Sequence, residues 1–164
     1  FRSLMPDLFP SLTRLILPSL CTRKCSNGGA RGWINAARYS VAGPPNQAGE
    51  LDLTTAHYSF YADSISFDYE RFALAAYETW KVSQLEKTNA NLSAWPLLKL
   101  YYSAFFSAHA ILRAMGHSVS LLDSANVNVL NEILALQYQN PASIPSGHYT
   151  IKTDISGPGQ NIRV

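Results

Sequence analysis

One stretch of this sequence places five side chains of chemical use on a single helical stripe: Lys99, Tyr102, Phe106, His109 and Arg113. Successive helical residues turn by about 100°, so spacings of three and four bring all five to one side. His109 and Arg113 stand four residues apart and can share a site. An imidazole that titrates near neutrality, beside a permanently charged guanidinium, suits proton transfer on a phosphodiester. Lys99 and Arg113 can hold phosphate oxygens, while Tyr102 can donate a hydrogen bond or stack on a base. Lys99, Tyr102, His109 and Arg113 are therefore the candidate substrate or RNA contacts, and no catalytic residue is assigned. A structural role suits the same pattern, with Lys99 and Arg113 snorkelling from the polar edge of a buried helix and His109 satisfying a core hydrogen bond.

Other reactive groups form no comparable constellation. His57 and His148 fall in irregular stretches, and His117 follows Gly116, where an exposed loop is expected. Cys21 and Cys25 are the only cysteines, too few for a disulfide scaffold or a four-ligand zinc site. Gly28-Gly29 is not followed by the Lys-Ser/Thr of a phosphate-binding loop, and no nucleophile elbow occurs. No metal and no cofactor is expected.

The stripe needs a helix to carry it. Ser93 suits an N-cap, Pro96 is tolerated in a first turn, and Gly116 supplies a stop, which predicts a helix over residues 96–115. That helix is apolar on most of its circumference and calls for cover on more than one side, with Phe105 buried. Before it, Tyr69, Phe72, Ala73, Ala76, Tyr77 and Trp80 recur at helical spacing. They predict a helix over residues 66–87, capped by Ser66 with Asp68 and Glu70 in its first turn, and broken over 88–91. Residues 54–67 read as extended or irregular. After it, Val127, Leu130, Ile133, Leu134 and Tyr138 predict a third helix, starting near Asp123 or Ser124 and ending before Asn140-Pro141. The expected arrangement is an all-α antiparallel hairpin of the first two helices with the third packed across it, in a bundle incomplete in this chain. A strand-like run covers 149–155.

Charge divides the chain. Residues 1–49 hold six basic side chains against the single acid Asp7, whereas residues 50–164 hold seven basic and ten acidic ones; the net is +2. Glycine and proline crowd the first part, so it reads as a separate, weakly ordered leader or extension, with an organellar transit peptide as the alternative. Residues 50–140 then form the helical domain and 141–164 an irregular tail. With 47% hydrophobic and 15% charged residues the chain is too apolar for disorder, and its small net charge gives no overall pull towards nucleic acid. Lys99, His109 and Arg113 interrupt the most apolar window, residues 95–115. Charges near a bilayer centre cost about 2.5–3.5 kcal/mol each, so no membrane span is expected, and a cytoplasmic location is.

The run Leu97-Leu-Lys-Leu-Tyr-Tyr-Ser-Ala-Phe-Phe-Ser-Ala-His-Ala-Ile-Leu-Arg-Ala-Met-Gly116 resembles the core helix of HEPN-like domains. In that superfamily Tyr-Tyr, a small residue and Ala-Phe precede Ala-x-Ala-Leu-Leu. The likeness covers roughly residues 66–138. It implies an all-α bundle of four or five helices, often dimeric, and either a metal-independent ribonuclease or an RNA-binding relic of one, frequently in toxin–antitoxin or defence systems. The implied partners are a second copy meeting through the apolar second helix, RNA, and a cognate antitoxin-type protein. Active members carry Arg, four to six residues, then His; Arg113 and His117 have only three between them. Ribonuclease activity would thus require a motif outside this chain. Two other readings stand beside this one: a non-enzymatic dimerisation or partner-binding module, and a small-ligand or nucleotide-binding bundle.

Overall fold

The computed structural model describes residues 28–46, 50–86, 94–139, 141, 143–154 and 161–163. Four helices dominate: α1 (Gly29–Asn35), α2 (Tyr58–Glu86), α3 (Ala94–Ala114) and α4 (Ser124–Gln137). Five short strands accompany them: β1 (Ser40–Val41), β2 (Asp52–Thr54), β3 (His117–Leu122), β4 (Gly147–Asp154) and β5 (Asn161–Arg163). They form one antiparallel sheet in the order β1-β2-β5-β4-β3, so the last strand in sequence lies at its centre.

The fold is mainly helical but not all-α. The strands other than β4 escaped the sequence pattern for a physical reason. On β3 the buried positions include Ser118, whereas Val119 and Leu121 are exposed, which inverts the usual apolar-in alternation. Its register is nonetheless complete against β4, from His117 opposite Lys152 to Leu122 opposite Gly147. His117 is thus a strand residue and not part of a loop. The expected strand-like run belongs to β4, and the expected irregular tail contains two strands, one of which buries Ile151 in the core.

The helical hairpin is present, with corrections. α2 begins eight residues before Ser66, which is buried inside the helix and does not cap it. Tyr58, Tyr61, Ile65, Tyr69 and Phe72 continue the helical spacing through a segment whose serines and aromatics suggested extension. The start is fixed by His57, whose carbonyl accepts from the Phe60 and Tyr61 amides. Thr55 accepts from the His57 amide at 3.1 Å and donates to the Arg38 carbonyl at 2.8 Å. α3 runs antiparallel to α2, and small side chains line the seam: Ala76, Ser103 and Ala110 are buried, and the Ser103 hydroxyl donates to the Ala76 carbonyl at 2.9 Å. The Ser93 cap and the break at 88–91 lie outside the described residues.

Among the described residues, α3 is covered on one face only. Phe105, expected inside, is 44% exposed, and Leu97, Tyr101 and Ile111 are more exposed still. α4 does not cross the hairpin; it packs on α1, β1 and β3. Its N-cap is Asp123, whose carboxylate accepts from the Asn126 amide while Asn126 answers back to the Asp123 amide.

The core lies where α1, the start of α2, α4 and the sheet meet. Trp33, Ile34, Tyr61, Leu53, Leu130, Leu134 and Ile151 are fully buried there, with Trp33 4.9 Å from both the Tyr39 and Tyr61 rings. The boundary expected at residue 49 therefore fails: residues 28–46 are part of the globule. Glycine there served a tight turn into α1, not disorder, because Gly28 and Gly29 both adopt positive φ, 71° and 72°. Residues 1–27, including Cys21 and Cys25, lie outside the described residues.

Candidate functional site

Four arginines converge at the base of the hairpin, each delivered by a different part of the chain. Arg31 comes from α1, Arg38 from the turn before β1, Arg71 from α2 and Arg113 from the last turn of α3. They line an open cleft of about 910 Å³, with Phe60, Phe72, Asn35, Asn126, Ser120 and Asp68 completing its walls.

Asp68 organises the floor. It is buried and accepts from the Ala30 amide at 2.9 Å and from Arg71 at 3.1 Å, with Arg113 Nε 3.8 Å away. A carboxylate in that position needs such donors, since an unpaired buried charge is costly. A Cβ on Gly29 would stand 2.6 Å from Asp68 Oδ2, so glycine is required both by this approach and by its positive φ.

Arg113 is the deepest cation, with 2% of its surface exposed. It donates to the His109 carbonyl at 3.1 Å and to the Val119 carbonyl at 3.4 Å, and its guanidinium lies 4.2 Å from the Phe72 ring centroid. Its Nε has no hydrogen-bond acceptor among the described residues. Burial lowers its pKa; Asp68 works against that, and the neighbouring Arg71 adds to it. Arg71 also faces Phe72, at 5.0 Å, so this ring carries a guanidinium from each helix of the hairpin.

The remaining cations are tethered less deeply. Arg31 pairs with Asp123 and donates to Asn126 Oδ1 at 3.1 Å, while Asn126 donates onward to Asn35 at 2.7 Å. Arg38 lies 4.7 Å over Phe60. Asp68 and Asp123 offset two of the four guanidiniums, leaving the cleft positive.

Of the residues expected to act together, the structure joins two. His109 Nδ1 is 3.1 Å from Arg113 Nη1, and since arginine can only donate, Nδ1 is the acceptor. Burial lowers the His109 pKa and the adjacent guanidinium lowers it further, so the ring is neutral near pH 7. To take up a proton at Nδ1 it must give up Arg113, a poor arrangement for a general base. Lys99 and Tyr102 lie outside the cleft: at 1.5 Å per residue they stand roughly 21 and 16 Å along the helix from Arg113. Tyr102 stacks on Phe106 at 6.2 Å, and Phe106 meets Phe72 at 6.1 Å.

Sequence reasoning missed Asp68 as a buried partner, and Arg31, Arg38 and Arg71 as cleft residues. Arg31 and Arg38 fall in the stretch that reads as a leader, and Asp68 in what reads as the first turn of a helix. A usable signal is Gly28-Gly29, a pair with positive-φ freedom separated from Arg31 by Ala30 alone. Among the described residues no group of His, Cys, Asp and Glu can hold a metal, and no helix is long and apolar enough to cross a membrane. The chain matches no family model, no curated protein and no solved structure.

Proposed function

We propose that this protein is a non-catalytic, RNA-associated helical domain that holds a nucleotide phosphate in the arginine cleft. The observation that carries the reading is the convergence of Arg31, Arg38, Arg71 and Arg113 around Phe60 and Phe72. Guanidiniums bind phosphate oxygens in a fixed fork, and flat rings beside them take the base. The cleft is of a size that ligand sites commonly have. The HEPN-like stretch at 97–116 points to the same ligand class, and the tethered, neutral His109 argues for binding over cleavage.

Titration of the full chain with a nucleoside 5′-monophosphate and with the matching nucleoside tests this. The phosphate form should bind, with affinity falling steeply with salt, and the nucleoside should not. Arg38→Ala and Arg71→Ala should each weaken binding about tenfold while leaving the fold intact. Equal binding of nucleotide and nucleoside, or none of the nucleotide at low salt, would overturn the reading.

A second reading concerns the opposite flank of the hairpin. Leu74, Tyr77, Leu97 and Ile111 are each more than half exposed there. Such a surface suits a second copy of the chain or an antitoxin-type partner. Sedimentation over a range of concentrations tests the first: a dimer lost on Ile111→Glu supports it, and a monomer throughout rejects it.

A further inference from the structure

We infer that the row of rings leaving the arginine cleft along the hairpin is a stacking track for one nucleic-acid strand. This rests on the phosphate-binding reading of the cleft and extends it from a nucleotide to a strand. The row begins at Phe72, which lies under Arg71 and Arg113. Phe72 stacks on His109, with centroids 5.1 Å apart and planes inclined by 19°. It then meets Phe106 at 6.1 Å, and Phe106 stacks on Tyr102 at 6.2 Å and 26°. Phe105 flanks the row, edge-on to His109 at 4.4 Å.

Three features fit a strand better than a protein helix. The rings follow one another at inclinations of 19°, 39° and 26°, whereas an aliphatic face would interlock with a partner helix. The row opens at one end into a cleft with an excess of guanidiniums, which gives it charge complementarity to phosphates. Tyr102 and Phe105 are 45% and 44% exposed, so part of each ring is open to a base. A duplex keeps its base faces stacked on one another and offers only edges, so the ligand is an unpaired strand. The row is roughly 16 Å long from Arg113 to Tyr102, room for a few unstacked nucleotides beyond the one held in the cleft.

The test measures anisotropy of end-labelled single strands of one, four and eight nucleotides, an eight-residue abasic strand and an eight-base-pair duplex, all with the full chain. Affinity should rise from one to four nucleotides, and the abasic strand and the duplex should bind less tightly than the tetramer. Tyr102→Ala should weaken the octamer roughly tenfold, leave mononucleotide binding and the thermal midpoint unchanged, and be rescued by Tyr102→Phe. Matched RNA and DNA octamers separate the two sources of such a strand; either one binding in this way supports the track. An octamer bound no better than the mononucleotide, or equally by wild type and Tyr102→Ala, overturns the track but leaves the cleft reading standing. Failure of the mononucleotide as well removes the cleft reading. A Tyr102→Ala protein that changes oligomeric state and not strand affinity would make the row a protein interface and overturn the track.

Discussion

Arg113 Nε lies 3.8 Å from Asp68 Oδ2, too far for a hydrogen bond, and no other acceptor among the described residues replaces it. The carboxylate is meanwhile engaged by the Ala30 amide and by Arg71. One buried anion thus serves a backbone donor and two guanidiniums, and the deeper guanidinium is the one left short. Arg113 is thereby fixed at the back of the cleft, with both Nη atoms bonded and its buried Nε lacking an acceptor.

Removing that anion should be costly. Asp68→Ala takes the acceptor from Ala30 and leaves Arg113 charged and buried, and breaking a buried pair in this way costs about 3–5 kcal/mol. Urea unfolding of the variant should show a loss of that order. A change below about 1 kcal/mol would mean that Asp68 is dispensable to the site.

The two glycines before α1 should respond differently to alanine. Both lie at positive φ, where a Cβ costs about 1–2 kcal/mol. At Gly28 the nearest atom to a new Cβ is Gly32 Cα, 3.9 Å away, whereas at Gly29 the Cβ collides with the Asp68 carboxylate. Gly29→Ala should therefore lower the thermal midpoint well beyond Gly28→Ala. Equal shifts would show that the close approach of Asp68 does not matter.

Stability should decline in mild acid. His109 and His117 both titrate lower in the folded protein, through burial first and then through Arg113 and Lys152 respectively. Between the ordinary histidine value of 6.5 and the depressed folded values, the unfolded chain binds more protons. The stabilisation is thus complete above about pH 6.5 and is lost as the pH falls through the folded values. Denaturant midpoints measured from pH 7.5 down to 5.5 should fall, and His109→Gln, which keeps an acceptor for Arg113, should flatten part of that slope. A slope unchanged by the substitution would exclude His109 as a source.

Two aromatic truncations separate core from surface. Trp33→Ala should cost about 3–5 kcal/mol, as befits a fully buried ring. Phe105→Ala, with nearly half its surface already in water, should cost about 1 kcal/mol. Chemical denaturation of the pair gives the comparison. A mild effect at Trp33 would restore residues 28–46 to the status of an appendage.

The helices could be read from the sequence because periodicity of three and four survives even where composition is odd. Asp123 and Ser124 marked the start of α4 almost to the residue, and Gly116 marked the stop of α3. The start of α2 was obscured because Ser64 and Ser66 face inward there, where periodicity analysis looks for aliphatic residues; Ser64 closes its own hydrogen bond on the Phe60 carbonyl. The strands other than β4 were obscured because two or three residues carry no period, and because β3 buries Ser118 while exposing Leu121. Of the site, the pairing of His109 with Arg113 followed from helical spacing alone. The other cleft arginines did not, since residues 31 and 126, or 30 and 68, meet only through tertiary packing.

The central position of β5 also sets the order in which this chain completes itself during synthesis. The α2–α3 hairpin and the β1–β2 pair join segments close in sequence and can form as soon as they leave the ribosome. β2 must wait more than a hundred residues for Asn161–Arg163 before its second edge is closed, and β4 and β3 reach β2 only through that strand. Until then the nascent chain carries an unpaired strand edge, the kind of feature that recruits chaperones and invites misassembly. Asn161–Arg163 act as the keystone of the sheet, so substitutions there should impair yield and solubility out of proportion to the few hydrogen bonds they remove.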